Sequence, residues 1–123
     1  MQRILIVEDS PTMRSLLVSA LEELDQPVKI TEVASGFEAL RELPRTAYDL
    51  ILTDINGLEL VSFLKKNPAW ASVPLIIVST EGSERDRDKG LSLGADAYLV
   101  KPFAPETLRQ IVQDLLERSR RHG

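Results

Sequence analysis

Two kinds of apolar run alternate along the chain. Short, almost unbroken stretches of Ile, Leu and Val end at polar residues, and each is followed by a longer stretch in which apolar residues recur every three or four positions. Arg3 to Val7 (RILIV) is the first short run and stops at the acidic pair Glu8 and Asp9, as a strand buried on both faces should. Ser10 then offers a helix cap and Pro11 suits the first helical position. Met13, Leu16, Leu17, Ala20, Leu21 and Leu24 follow at helical spacing, predicting an amphipathic helix to Glu23 or Leu24. Val28 to Val33 is a second strand, and Ser35-Gly36 opens a helix carrying Ala39, Leu40 and Leu43 that Pro44 cannot continue. Leu50 to Thr53 (LILT) is a third strand ending at Asp54, and Leu58, Leu60, Val61 and Leu64 give a third helix to about Lys66. After the loop NPAWASVP, in which Trp70 is expected to act as an anchor, Leu75 to Val78 (LIIV) is the fourth strand. Ser83 to Leu93 is a helix with far more charge than apolar surface, expected to be solvated and laced with i,i+4 ion pairs. Ala97 to Val100 (AYLV) is the fifth strand. Lys101-Pro102-Phe103 then leads to a helix from Pro105 whose Leu108, Ile111, Val112, Leu115 and Leu116 form one stripe.

Five buried strands alternating with five helices require crossover connections, so the strands are parallel and helices cover both faces of the sheet. The expected fold class is α/β, doubly wound. One domain spans 1–118, and the tail 119–123 is expected to fray. The length of 123 residues suits one core and leaves no room for a second.

Composition narrows the chemistry. With 15 basic and 19 acidic residues the net charge is −4, which repels phosphate backbones and anionic membrane surfaces, so neither nucleic-acid binding nor membrane insertion is expected. No apolar run approaches the ~20 residues of a membrane span. The absence of cysteine excludes a disulfide framework, a Cys-ligated zinc and a thiol nucleophile. The expected compartment is the cytoplasm.

Ligands of open α/β sheets bind outside the carboxyl ends of the strands. There the first strand presents Glu8 and Asp9, the third Asp54, the fourth Ser79 and Thr80, and the fifth Lys101. If the strand order is 2-1-3-4-5, the first and third strands are neighbours and the three carboxylates share one small pocket. Like charges that close repel unless a cation or proton intervenes. A hard divalent ion with oxygen ligands, Mg²⁺ above all, removes that cost. Asp54, alone at its strand end, is the best-placed nucleophile for attack on phosphorus. Lys101 and the Ser79 hydroxyl are suited to phosphoryl oxygens, and Glu8 with Asp9 to holding the metal. Taken singly, Asp9, Ser10 or Asp54 could merely cap a helix, Ser79 or Thr80 could cap the charged helix, and Tyr98 could be a packed aromatic.

The motifs IVEDS, LILTD, VST and GADAYLVKPF, spread over essentially the whole chain, together resemble the receiver domains of two-component response regulators. The resemblance implies the flavodoxin-like strand order 2-1-3-4-5 and the roles that follow. Asp54 takes a phosphoryl group from a sensor histidine kinase. Glu8 and Asp9 bind Mg²⁺ together with Asp54 and the backbone carbonyl of Asn56. Ser79 and Lys101 contact the phosphoryl group, and Tyr98 is the aromatic whose rotamer follows Ser79. The Lys101-Pro102 bond is cis in that family. The resemblance implies a stand-alone switch like the chemotaxis regulators, expected to be a monomer. It catalyses no reaction beyond its own phosphorylation and dephosphorylation. Output is expected through another protein docked on the face of the fourth helix, fifth strand and fifth helix.

One departure stands out. Receivers usually follow the acceptor with D-x-x-M-P-x-M-D-G, whereas here Asp54-Ile55-Asn56 runs into Gly57-Leu58-Glu59-Leu60, about five residues shorter and near the lower limit of such connections. A deletion there weakens the expectation of an Asn56 carbonyl ligand and opens an alternative: a receiver-like scaffold with impaired phosphorylation, or a dimer that exchanges elements. A Mg²⁺-dependent aspartyl phosphatase or phosphotransferase acting on a small molecule is a further alternative. The short chain offers no obvious cap to exclude water from such a substrate.

Overall fold

The apolar runs pair side by side because each can bury both faces only inside a sheet. The computed structural model describes residues 1–54, 58–80 and 82–122. It contains β1 (Gln2–Val7), α1 (Pro11–Glu22), β2 (Val28–Val33), α2 (Gly36–Glu42), β3 (Leu50–Asp54), α3 (Leu58–Lys66), β4 (Leu75–Ser79), α4 (Glu84–Ser92), β5 (Ala97–Val100) and α5 (Pro105–His122). All strand pairs are parallel, and the order across the sheet is β2-β1-β3-β4-β5. The expected doubly wound class and strand order are those observed.

Alternation along the strands sends side chains to two separate cores. Ile4, Ile6, Leu50, Leu52, Ile76, Val78 and Leu99 face α1 and α5, meeting Leu17 and Leu21 of α1 and Leu108, Val112 and Leu116 of α5. Leu5, Val7, Ile51, Leu75, Ile77 and Tyr98 face the other way, onto Ala39 of α2 and Leu60, Val61 and Leu64 of α3.

Several expectations are corrected. β2 is not a fully buried strand: none of its six residues is buried, because it forms the sheet edge and its Lys29 and Glu32 point to solvent. β1, β3 and β4 each run one residue further than expected, taking in Gln2, Asp54 and Ser79, because the ladder continues through Gln2↔Val28, Asp54↔Val78 and Ser79↔Val100. The helix α5 has the bounds Pro105–His122, and no Pro or Gly interrupts the run from Thr107 to His122. On α4 the expected ion pairs are missing: among the described residues none of its charges lies in a salt bridge. Such exposed pairs gain little over water, and what organises the helix start is Ser83, which accepts from the Asp86 amide at 3.1 Å and donates to its carboxylate at 2.6 Å. Trp70 does pack against the second core, its ring 6.1 Å from that of Phe63.

The turn from α4 into β5 depends on Gly94, whose φ of +114° lies where L side chains are strained. A Cβ there would come within 2.7 Å of Lys65 Cγ, and Lys65 is itself tied to Asp96 at 3.2 Å and to the Val73 carbonyl at 2.8 Å. Gly94→Ala is expected to lower stability by about 1–3 kcal/mol in urea unfolding, with the m-value unchanged.

Candidate functional site

The parallel register assembles the site. Val7 is level with Thr53, so Glu8 and Asp54 are the next residues on adjacent strands, one inter-strand spacing apart. The ladder then steps along the rim: Asp54 is level with Val78, Ser79 with Val100, and the Lys101 amide donates to the Ser79 carbonyl at 2.7 Å. By strand parity Glu8, Asp54 and Lys101 continue the rows that face α1 and α5, while Ser79 and Tyr98 continue the rows that face α3 and α4.

Glu8, Asp9 and Asp54 each place a carboxylate oxygen within 4.8 Å of the others. They differ in exposure: Glu8 is buried at 3%, Asp54 is half-buried and Asp9 is exposed. The Lys101 ammonium meets Glu8 Oε1 at 3.0 Å. Burial alone would raise the Glu8 pKa. It is overcome by the Lys101 hydrogen bond and charge, with help from Asp54 and Asp9, so Glu8 ends below its ordinary value. Asp54 goes the other way, pushed up to about 6 by burial first, then by the hydrogen bond and charge of Glu8 and the charge of Asp9, with Lys101 offsetting only part. The lysine thus settles which carboxylate stays ionised, and the proton that relieves the crowding goes to Asp54.

The backbone around the pair is fixed as well. The Glu8 amide donates to the Val33 carbonyl at 3.0 Å, and Arg14 Nη1 donates to the Glu8 carbonyl at 2.7 Å. Ser10, not Asp9, caps α1, accepting from the Met13 amide at 3.3 Å. Lys101-Pro102 is a cis peptide. Ser79 is 1% exposed, and Tyr98 is buried in the core shared with α3. Asn56, the expected carbonyl ligand, lies outside the described residues. Only three residues separate Asp54 from the start of α3, as the sequence indicates. The acid cluster opens onto a cavity of about 660 Å³ between α2 and α3, walled by Phe37, Leu40, Leu60 and Phe63.

The structure therefore gathers Glu8, Asp9 and Asp54, with Lys101 against them, and places Ser79 on the same rim and Tyr98 beneath it. Arg14 was not singled out from sequence: at its position it reads as one more polar residue of an amphipathic helix, and only the strand-to-helix turn brings it back onto Glu8.

A doubly wound sheet with carboxylates converging at the exits of its first and third strands defines a class of ligand site. Residues 4–113 match the response regulator receiver domain family, and the chain belongs to that family. It is 40% identical over 119 residues to a gliding motility regulatory protein of Myxococcus xanthus, covering 92% of this chain and 15% of that protein. It is 32% identical over 120 residues to a chemotaxis protein CheY homolog of Campylobacter jejuni, covering 93% of this chain and 92% of that protein. The receiver domain of sensor histidine kinase PA1611 from Pseudomonas aeruginosa, solved with a magnesium ion coordinated in its active site cleft, superposes with a TM-score of 0.83 at 30% identity, over 94% of this chain and 98% of that one. The chain spans about half the length or less, 15% to 52%, of the first curated relatives it matches. Receiver domains are signalling switches that work with histidine kinases and downstream targets. No helix among the described residues is long and apolar enough to cross a membrane.

The raised Asp54 pKa has a sign that can be checked. The native state holds this proton more tightly than the unfolded chain, so the Asp54 contribution to stability is full below pH 3.8 and is lost as pH rises through about 6. Glu8 acts oppositely, contributing stability above its ordinary 4.5 and losing it as pH falls below. Without metal, Asp54→Asn is expected to stabilise the protein at pH 7.5 by about 1–2 kcal/mol, allowing for the partial exposure of Asp54. In thermal unfolding across pH, that gain disappears below about pH 4. Lys101→Met leaves Glu8 buried without its cation and is expected to cost about 2–4 kcal/mol at pH 7.5 in the same experiment.

Proposed function

We propose that this chain is a cytoplasmic phosphorylation switch of two-component signalling. Asp54 accepts a phosphoryl group from a sensor histidine kinase with Mg²⁺, and the phosphorylated form docks a downstream protein on the face of α4, β5 and α5. The observation that carries this reading is the convergence of three carboxylates within 4.8 Å, one of them paired with Lys101. Three clustered oxygen donors, without sulfur or imidazole, suit a hard divalent cation. Glu8, Asp9 and Asp54 would hold Mg²⁺, with the Asn56 carbonyl as the further proposed ligand. When bound, the metal supplies neutralisation of charge on the transferred oxygens.

The chain's own groups do the rest. An Asp54 carboxylate oxygen forms a bond to phosphorus while the bond from phosphorus to the donor's imidazole nitrogen breaks, its electron pair leaving with that nitrogen. Lys101, held at the mouth by Glu8, turns its ammonium to a phosphoryl oxygen, and the Ser79 hydroxyl contacts another. The product carries about −1.5 to −2 charges where the free Asp54 carboxylate carried one, and places them further out on the phosphoryl oxygens, which draws Lys101 and Ser79 toward it. Tyr98 connects this to the surface. α4 lies so close over Tyr98 and Ile77 that a Cβ on Gly90 would come within 2.8 Å of Ile77 Cδ1 and 3.1 Å of the Tyr98 ring. A ring change at Tyr98 that follows Ser79 therefore moves α4, and Val100, 36% exposed on β5, lies on the adjoining surface.

The three-residue connection between Asp54 and Leu58 favours a second reading: a receiver fold that docks partners without taking phosphate, or that exchanges elements in a dimer. Intact-protein mass spectrometry with acetyl phosphate separates the two. A gain of one phosphoryl group that needs Mg²⁺ and is absent in Asp54→Asn is expected, with a monomer in light scattering. No gain in the wild type, or a dimer, favours the second reading.

A further inference from the structure

The acid pair is held unequally. Glu8 is buried and its carboxylate is anchored by Lys101 at 3.0 Å, whereas Asp9 is exposed, so the aim of its carboxylate depends on the backbone that carries it. That backbone has left the sheet: the last β1–β2 pair is Val7↔Val33. Beyond it the Glu8 amide still reaches the Val33 carbonyl at 3.0 Å, but the Glu8 carbonyl, which belongs to the Glu8–Asp9 peptide, is met by a side chain, Arg14 Nη1 at 2.7 Å. Arg14 is restrained in turn. Its amide donates to the Ser10 carbonyl at 2.9 Å within the first turn of α1, its Nε lies 3.7 Å from Glu32 Oε1 on β2, and its side chain is 22% exposed.

We propose that Arg14 is a positioning residue for the metal site: its bond to the Glu8 carbonyl fixes the plane of the Glu8–Asp9 peptide and so aims Asp9 at Asp54. The inference rests on the reading of the acid cluster as a Mg²⁺ site. A short hydrogen bond from a guanidinium is among the stronger polar contacts, and this one restrains the ψ of Glu8 and φ of Asp9 together. Without it the peptide turns about those two dihedrals and carries the exposed carboxylate away from its neighbours.

Charge and geometry predict opposite signs here. Arg14 is a cation beside a cation site, so on Coulomb repulsion alone its removal tightens Mg²⁺ binding. If it positions Asp9, its removal weakens binding. Calorimetric Mg²⁺ titration of the wild type, Arg14→Ala, Arg14→Lys and Arg109→Ala tests this. Arg109 ties the other end of α1, through the Ala20 carbonyl at 3.4 Å and Glu23 at 3.3 Å, and so controls for general loosening of that helix. Arg14→Ala is expected to raise the Mg²⁺ Kd about 10-fold, the low end for groups that orient metal ligands. Arg14→Lys, which keeps a donor, recovers most of the affinity, and Arg109→Ala binds as the wild type does. In the metal-free proteins, amide exchange at Asp9 and Ser10 is faster in Arg14→Ala than in Arg109→Ala. An unchanged or lower Kd in Arg14→Ala, an equal loss in Arg109→Ala, or unchanged exchange at Asp9 overturns the inference alone. A wild type that takes up no Mg²⁺ overturns the metal-site reading and this inference with it.

Discussion

A single ion pair closes the rim of this sheet. Glu8 follows β1 and Lys101 follows β5, with β3 and β4 lying between them, yet their charged atoms meet at 3.0 Å. The contact does two things at once. It makes it tolerable to bury Glu8 beside two other carboxylates, and it assigns the ionised state to Glu8 while Asp54 is pushed toward holding a proton. Asp54, the proposed acceptor, is like Asp9 a carboxylate without an ion pair among the described residues. A divalent ion or a proton would relieve that crowding, and under the proposed phosphotransfer a departure of Lys101 from Glu8 toward the phosphoryl group would redistribute one positive charge among the anions of the site.

The two faces of the sheet divide the labour. Glu8, Asp54 and Lys101 belong to the rows that face α1 and α5, so the charged machinery stands over the core whose helices bury the most apolar side chains. Ser79 and Tyr98 belong to the rows facing α3 and α4. α4 is the lightly anchored helix of that layer: Gly90 is its one fully buried residue, and none of its charges is paired among the described residues. Rigid chemistry on one face and a loosely held helix on the other are a physical basis for a local event with a remote reading.

Much of this was legible in the sequence because strand ends are easy to see. The runs RILIV, LILT, LIIV and AYLV place Glu8, Asp9, Asp54, Ser79 and Lys101 at exits without any knowledge of the fold. The order that makes neighbours of the first and third exits came from family resemblance, since alternation alone does not choose among orders. What the pattern did not carry is what the third dimension decides. VKITEV reads as a strand, but only the sheet shows that it is an edge, although Lys29 and Glu32 were a visible hint. The partner of Lys101 in the resting site depends on a contact across 93 residues, and that of Arg14 on a turn whose geometry no residue type announces.

That separation of 93 residues also sets an order of assembly. Glu8, Asp9 and Asp54 can be brought together once β1 and β3 have paired, but Lys101 leaves the ribosome only after the residues of all five strands have been made. Until β5 docks at the far edge, the acidic half of the site stands without its counter-charge. A nascent or partly opened chain is thus one in which the proposed acceptor is present and the site around it is not. Of the five strands of this sheet, β5 is the one whose docking completes the charge balance, so under the proposed function the site becomes competent only once β5 is in place.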